Sequence, residues 1–440
     1  MTVTLETQTG EVAKVRGPAD VRRQVKMVVL FALVTLALAI FYLDIQDPAV
    51  RYLLDNTPGE EPQEANAKVV VAVAFAVSLV ALVLAALNKL PPGALTVAAA
   101  VLVGLAFLVG FIVWNYTDQS GPGQLTITNP LPGTVKYAVP LVFGALAGTL
   151  CERAGVINIA IEGQFLMAAF FAAVVASFAG RAEYGLLGGI AAGVAMAALL
   201  AVFAMRYRVN QVVLGVVLIA LATGLTDFLL SQIPSDQDVR DKLNNPQTLG
   251  PLPDAGIPFL SSLADSLTGI PVLGPTVFNQ TLLAYLMYVS VIVVAFVLFQ
   301  TRWGLRVRSV GEHPKAADTV GLKVNRLRWQ AVLLGGVFAG LGGAYFTVGS
   351  NGAFASDMSA GNGFIALAAV IMGRWHPVYA TFAALFFGLM TTLSFQLKFI
   401  EKVPSDLLVA LPYLATIIAV AGLVGRVRPP AADGEPYVKS

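Results

Sequence analysis

The sequence predicts an all-α fold, a polytopic transmembrane helix bundle of about twelve helices with broken or re-entrant segments. Three observations carry this. Hydrophobic residues make up 57% of the 440-residue chain and charged residues only 12%, and a mean hydropathy of +0.76 lies outside the range of water-soluble domains. Apolar runs of roughly 17–24 residues, long enough to cross about 30 Å of hydrocarbon at 1.5 Å per residue, recur from end to end. Their continuous Ala, Leu, Val and Gly content suits helices and lacks the alternation of a membrane β-barrel.

In chain order, residues 1–26 are a polar, basic N-terminal tail, read as cytoplasmic. Residues 27–131 form an N-terminal transmembrane extension with runs Met27–Leu43, Val69–Leu87 and Ala94–Val113. The core, 132–425, holds Leu186–Met205, Val212–Leu230, Leu282–Phe299, Ala331–Val348 and Leu407–Val424, with less regular runs at Tyr137–Leu150, Gly155–Phe178, Phe364–Met372 and Val378–Leu393. Residues 426–440 are a second cytoplasmic tail. The polar residues ahead of the first run, and the want of a small-residue cleavage site after it, argue for a retained anchor over a cleaved signal.

Net charge is +2, and the placement of the positive residues is more telling than their sum. With the amino terminus inside, all 28 Lys and Arg fall in inner segments except Arg51, Lys68, Lys136, Arg181, Arg240, Lys242, Lys398 and Lys402. The acidic, Pro-rich segment after the first run and the loop Ser231–Gln280, with Asp236, Asp238, Asp241 and Asp254, then lie outside.

Several chemistries have no residues to perform them. No Gly-x-x-x-x-Gly-Lys-Ser/Thr phosphate loop occurs, so any ATP used is bound by another subunit. The single cysteine, Cys151, excludes an intrachain disulfide and a cysteine metal cage. His313 and His376 are too few and too far apart to point to a metal site, and no metal or cofactor is expected. No basic stripe with interleaved aromatics suggests nucleic acid.

Small residues report on packing. "GIAAG" (Gly189–Gly193) and "GVFAG" (Gly336–Gly340) have the spacing that lets helices approach closely in lipid, and packing is the only role assigned to them. In "CERAGVINIAIEGQFLMAAFFAA", Cys151–Ala173, the polar residues Asn158, Glu162 and Gln164 sit within or beside an apolar run, where a charge costs about 2.5–3.5 kcal/mol to insert. Asn158 and Glu162, four apart, would share a helix face, while Gly155 and Gly163 permit a break. Two roles stay open for Glu162: lining a polar substrate path, or pinning the fold through a buried donor. A second glycine-bounded segment, "GNGFIALAAVIMGRWHP" (Gly361–Pro377), resembles the first weakly, as repeated halves of a transporter would.

Between two apolar runs lies "GEHPKAADTVGL", Gly311–Leu322. Pro314 suits a first helical position and Gly321 the position past the end, which gives a helix of about seven residues, too short to cross a membrane. Ala316, Ala317 and Val320 fall on one face. A docking helix for a partner's groove and a merely solvated interfacial helix fit this pattern equally.

Four stretches in order, "AGVINIAIEGQFLMAAF", "GEHPKAADTVGL", "GGVFAGLGGAYF" and "GFIALAAVIMGRWHP", resemble the permease subunits of ABC importers of the branched-chain amino acid and simple sugar class. The likeness is to the nucleoside or simple-sugar branch and covers roughly 132–425. The resemblance implies that the loop 301–329 is a coupling loop, in which Gly311, Glu312, Pro314, Ala316, Ala317, Gly321 and Leu322 dock on a cytoplasmic ATPase. It also implies a second permease subunit, the same or similar, two ATPase subunits and an extracytoplasmic substrate-binding protein in a cell membrane. His313 stands where the family often has asparagine, and the first 131 residues exceed the family's usual approach to its core. Such a subunit is not itself an enzyme. The competing readings are an ion-coupled secondary transporter with Glu162 as coupling carboxylate and an intramembrane enzyme, for which no nucleophile, base and stabiliser set is evident.

Overall fold

The structure is a computed structural model that describes residues 18–53, 63–91, 93–117, 125–126, 130–234, 236–251, 267–268, 270, 273–397, 404, 407–408, 410–418 and 428–438. The chain forms two compact units, one from the described residues up to Thr126 and one from Pro130 onward.

The first unit packs three apolar helices, α1 (Pro18–Asp44), α2 (Ala67–Ala86) and α3 (Ala94–Asn115). Asn66 starts α2 by accepting from the Val69 N–H at 3.2 Å, which satisfies one of the donors a helix start leaves free. Ladders of small and aromatic residues join the helices. Phe41 of α1 stacks on Trp114 of α3 at 4.5 Å between centroids, and Thr35 shares a 2.7 Å hydrogen bond with Ser78 of α2. The short strands β1 (Ala49–Leu53), β2 (Gln63–Asn66) and β3 (Leu125–Thr126) pair in the order β2-β1-β3, β1 running antiparallel to β2 and parallel to β3. They lie in the connections, where backbone outside a helix must find partners of its own.

In the second unit, α4 (Pro130–Arg153) is followed by seven non-helical or turn residues and then α5 (Ile161–Ala179) and α6 (Ala182–Ala201), which runs into a π-turn at Val202–Arg206. Next come α7 (Gln211–Ser231), α8 (Gln237–Asn244), α9 (Leu282–Gln300), α10 (Arg302–Glu312) and the one-and-a-half-turn α11 (Pro314–Thr319). Beyond them lie α12 (Val324–Phe346), which continues as a π-turn to Asn351, α13 (Asn362–Met372), α14 (Pro377–Leu397) and α15 (Leu411–Ile418). Most residues of α4 and α12 are buried, and α5, α6, α13 and α14 surround them. The two glycine motifs singled out in the sequence meet each other. A Cβ on Gly193 of α6 would lie 2.5 Å from the Gly336 carbonyl oxygen and 2.6 Å from Gly340 Cα of α12, so the backbones touch.

Ten helices among the described residues are long and apolar enough to cross a membrane. The expected count of about twelve is therefore approximate. Phe364–Met372 belongs to the eleven-residue α13, about 16 Å long and too short to span by itself. Of Leu407–Val424, α15 covers eight residues and 419–424 lie outside the described residues. So do residues 1–17, 426–427 and 439–440 of the two tails and Asp254 of the segment 231–280.

Candidate functional site: a polar junction and the loop 301–329

The interior polar residues gather where two broken helices meet. Gly155 takes a left-handed backbone, φ +82°, which a side chain would strain, and the chain stays non-helical to Ala160. Asn158 thus lies in the break and Glu162 in the first turn of α5, so the two do not share the helix face that their spacing predicts. Instead, Asn158 Nδ2 donates to Gln164 Oε1 at 3.1 Å and approaches Cys151 Sγ at 3.6 Å. Both amides are fully buried, and Asn158 Oδ1 and Gln164 Nε2 have no partner.

Glu162 reaches across to the other break. Its Oε1 accepts from Ser359 Oγ at 2.6 Å and from the Gly361 N–H at 2.8 Å, and its Oε2 accepts from the Gly363 N–H at 2.6 Å. Gly361 and Gly363 flank the start of α13, so one carboxyl group serves the positive ends of two helices, its own α5 and α13. The approach needs glycine, since a Cβ on Gly363 would lie 2.5 Å from Glu162 N. Arg153, at the end of α4, donates from Nε to the Trp375 carbonyl at 2.8 Å beyond the far end of α13. The eleven-residue α13, about 16 Å long, separates the junction from that contact. Trp375 Nε1 in turn donates to Glu152 Oε2.

Approaching from the other side, the chain that leads into α13 is held by Asn244, whose Oδ1 accepts from the Phe354 N–H at 2.7 Å and whose Nδ2 donates to the Phe354 carbonyl at 3.0 Å. A cavity of about 310 Å³ opens there, lined among others by Arg240, Asn244, Phe354 and Ser356.

The loop 301–329 forms α10, α11 and the start of α12. Thr301 caps α10 by accepting from the Gly304 N–H at 3.1 Å, and Pro314 and Gly321 (φ +84°) bound α11 as their positions predict. The predicted small-residue face is divided. Ala317 is 4% exposed and joins the core of its own chain, whereas Ala316 faces solvent and Val320 is 76% exposed. A six-residue helix laid on a bundle must turn one of its sides inward, and position 317 is on that side. Gly311 is buried, Glu312 exposed, and Leu322 packs at the edge of the core.

His376 lies beside this inner surface, stacked on Phe299 at 4.5 Å and close to Tyr379 at 4.6 Å. Burial, with the Arg153 charge nearby, lowers its pKa below the usual histidine value. His313 caps no N–H with its side chain. Among the described residues no group of three or more His, Cys, Asp or Glu could hold a metal ion.

Sequence reasoning placed Asn158, Glu162 and Gln164 in the interior but missed Ser359, Gly361 and Gly363 as partners of Glu162. The glycine pair ahead of α13 was the available signal. Arg328 was readable only as one of the basic residues of loop 301–329, and nothing in the sequence pointed to residues 428–438 closing against that loop.

Ten long apolar helices and one short one, α13, whose start is tied to Glu162 of α5, make the architecture of a polytopic membrane protein. The family described as branched-chain amino acid transport system / permease component matches residues 131–421, and the chain belongs to it. It is the permease component of an ABC transport system. Guanosine ABC transporter permease protein NupQ of Bacillus subtilis is 37% identical over 320 residues, covering 70% of this chain and 96% of NupQ. Nucleoside ABC transporter permease protein NupC of Lactococcus lactis is 38% identical over 315 residues, 69% of this chain and 95% of NupC. Putative glucose ABC transporter permease protein TsgC13 of Haloferax volcanii is 34% identical over 266 residues, 60% and 77% of the two chains. No solved structure matches the chain.

Proposed function

We propose that this chain is the membrane-spanning subunit of an ATP-driven importer of nucleosides. The observation that carries the reading is similarity at 37–38% identity along 95–96% of two permeases named for guanosine and nucleosides, against lower identity and shorter coverage for the glucose permease. ATP hydrolysis belongs to separate cytoplasmic ATPase subunits, and an extracytoplasmic binding protein delivers the solute to a pair of permeases, identical or similar. Both termini are cytoplasmic. Residues 27–131 are an added membrane unit ahead of a core that runs from 132 to 425.

Coupling runs through α11 in this reading. The short helix presents Ala316 and Val320 outward and anchors Ala317 in the bundle, so a partner gripping the exposed face moves α10 and α12 as rigid bodies. Gly311, Glu312, Pro314, Gly321 and Leu322 shape the loop that holds it. At the junction, Glu162 ties the two broken helices together, and the free amide atoms of Asn158 and Gln164 are the groups that meet the hydroxyl and amide functions of a nucleoside as the bundle opens.

The test uses the permease purified with its ATPase and reconstituted in vesicles, with tritiated guanosine as probe. ATP-dependent uptake is expected, and uptake that persists without any ATPase but collapses with an ion gradient would support a secondary transporter using Glu162. Val320→Asp places a charge on an exposed apolar contact and leaves the core untouched. Losing an anchor of about 2 kcal/mol weakens ATPase binding roughly thirtyfold. ATPase recovered at wild-type levels with both Val320→Asp and Ala316→Asp removes the docking assignment.

A further inference from the structure

Residues 428–438 contain no motif, yet they are clasped between the coupling loop and the first helix break. On the loop side, the Ala432 N–H donates to the Gly311 carbonyl at 2.9 Å, and the Ala431 N–H donates to Glu312 Oε2 at 3.2 Å. Tyr437 is buried, and burial together with the Asp318 carboxylate of α11 raises the pKa of its hydroxyl. On the side of the break, a Cβ on Gly434 would lie 2.7 Å from Ile157 Cδ1, and one on Gly155 would lie 2.9 Å from the Ala432 carbonyl oxygen and 2.8 Å from Arg328 Nη2. Both glycines have positive φ, +79° and +82°.

Arg328 closes this contact. It stands in the second turn of α12, is 1% exposed, and donates from Nη1 to the Glu435 carbonyl at 2.7 Å. A guanidinium seldom leaves water without a compensating partner, and here the tail supplies both the carbonyl and the nearby Asp433 carboxylate. Burial pushes the Asp433 carboxyl up to about 7, against the pull of Arg328. Within the loop, α11 is joined covalently only to α10 and α12, and the break at 154–160 is reached from it through packing alone, where Gly311 sits against Arg153 and Gly155. The tail adds a second link between the two, hydrogen-bonded to the loop and packed against the break.

We propose that residues 428–438 are a strap that carries motion of the coupling loop to the broken segment 154–160, with Arg328 as the positioning residue that seats it. This rests on the coupling-loop reading above. The strap gives the ATPase a route to Asn158 and Glu162 besides the one along α12.

The experiment follows hydrogen exchange in the permease–ATPase complex in nanodiscs, with and without ATP and vanadate, for segments 311–322 and 151–161. Wild-type protein responds to nucleotide in both. After deletion of 430–440, or with Gly434→Val, the response at 311–322 persists while that at 151–161 falls about fivefold or more, the low end of coupling between sites. Arg328→Lys keeps the charge but not the fork and falls between. A merely structural tail would leave the nucleotide response at 151–161 intact, and that result overturns the proposal. So does a deletion that tightens ATPase binding with no loss at 151–161, which marks the tail as a competitor for the docking face. If wild-type protein shows no nucleotide response at 311–322, the coupling-loop reading is what fails. The strap is then judged in the permease alone, where the deletion must speed exchange at both 311–313 and 154–157, and unchanged exchange there refutes it.

Discussion

Glu162 concentrates the chemistry of the junction in one side chain. Its three donors come from Ser359, Gly361 and Gly363, so replacement strands buried N–H and O–H groups at about 1–3 kcal/mol each. Glu162→Leu is expected to lower the melting temperature and yield in detergent sharply. Glu162→Gln, which retains one acceptor oxygen, should lose less. Melting curves of both variants beside guanosine uptake separate the two roles: Leu with normal stability and lost uptake would mean a path residue alone, and coupled loss of both means a tether. Asn158 offers a contrast, because its orphan oxygen does not hold the fold to another element. Its position four residues before Glu162 suggested a shared face. The left-handed turn at Gly155 cancelled that inference, since residue spacing maps to a face only while the helix continues.

Among the elements, the crossing of α6 and α12 is the tightest contact that the sequence announced. Gly193→Val would push its branched side chain into the Gly336 and Gly340 backbone, which cannot rotate away as a side chain can. Overpacking of this kind costs about 1–3 kcal/mol or more, and a lowered melting temperature with reduced assembly is expected. An unchanged melting curve would mean that the two helices do not meet in the membrane. The glycine spacing was readable, but their mutual pairing was not, because several helices carry small residues at similar intervals. Local signals served best where neighbours matter least. Pro314 and Gly321 bounded α11 correctly, yet which of its residues faces inward depended on where α12 and the tail lie.

For the whole molecule, sidedness is the consequence most open to measurement. The tail's bonds to Gly311 and Glu312 place residues 428–438 on the same side as the loop 301–329, and the basic residues of that loop predict that this side is cytoplasmic. In a Cys151→Ser background, an exposed Lys242→Cys on α8 should react with an impermeant thiol reagent applied to intact cells. An exposed Lys315→Cys should react only after lysis. The reverse pattern would invert the topology. The family match begins at residue 131, so α1–α3 stand before the shared core as a unit with its own packing, centred on Phe41, Phe111 and Trp114.

Composition and run length were enough to establish a helical membrane bundle, since crossing hydrocarbon demands long apolar segments that satisfy their own backbone. Four ordered motifs were enough to place the family, and the buried polar trio was visible because polar groups stand out against an apolar background. Partnership was not visible. Glu162 and Gly361 are 199 residues apart, Arg328 and Glu435 are 107 apart, and neither pairing follows from local propensity or periodicity. Such contacts arise only when packing brings distant backbones together and leaves their hydrogen-bonding groups no water to choose instead.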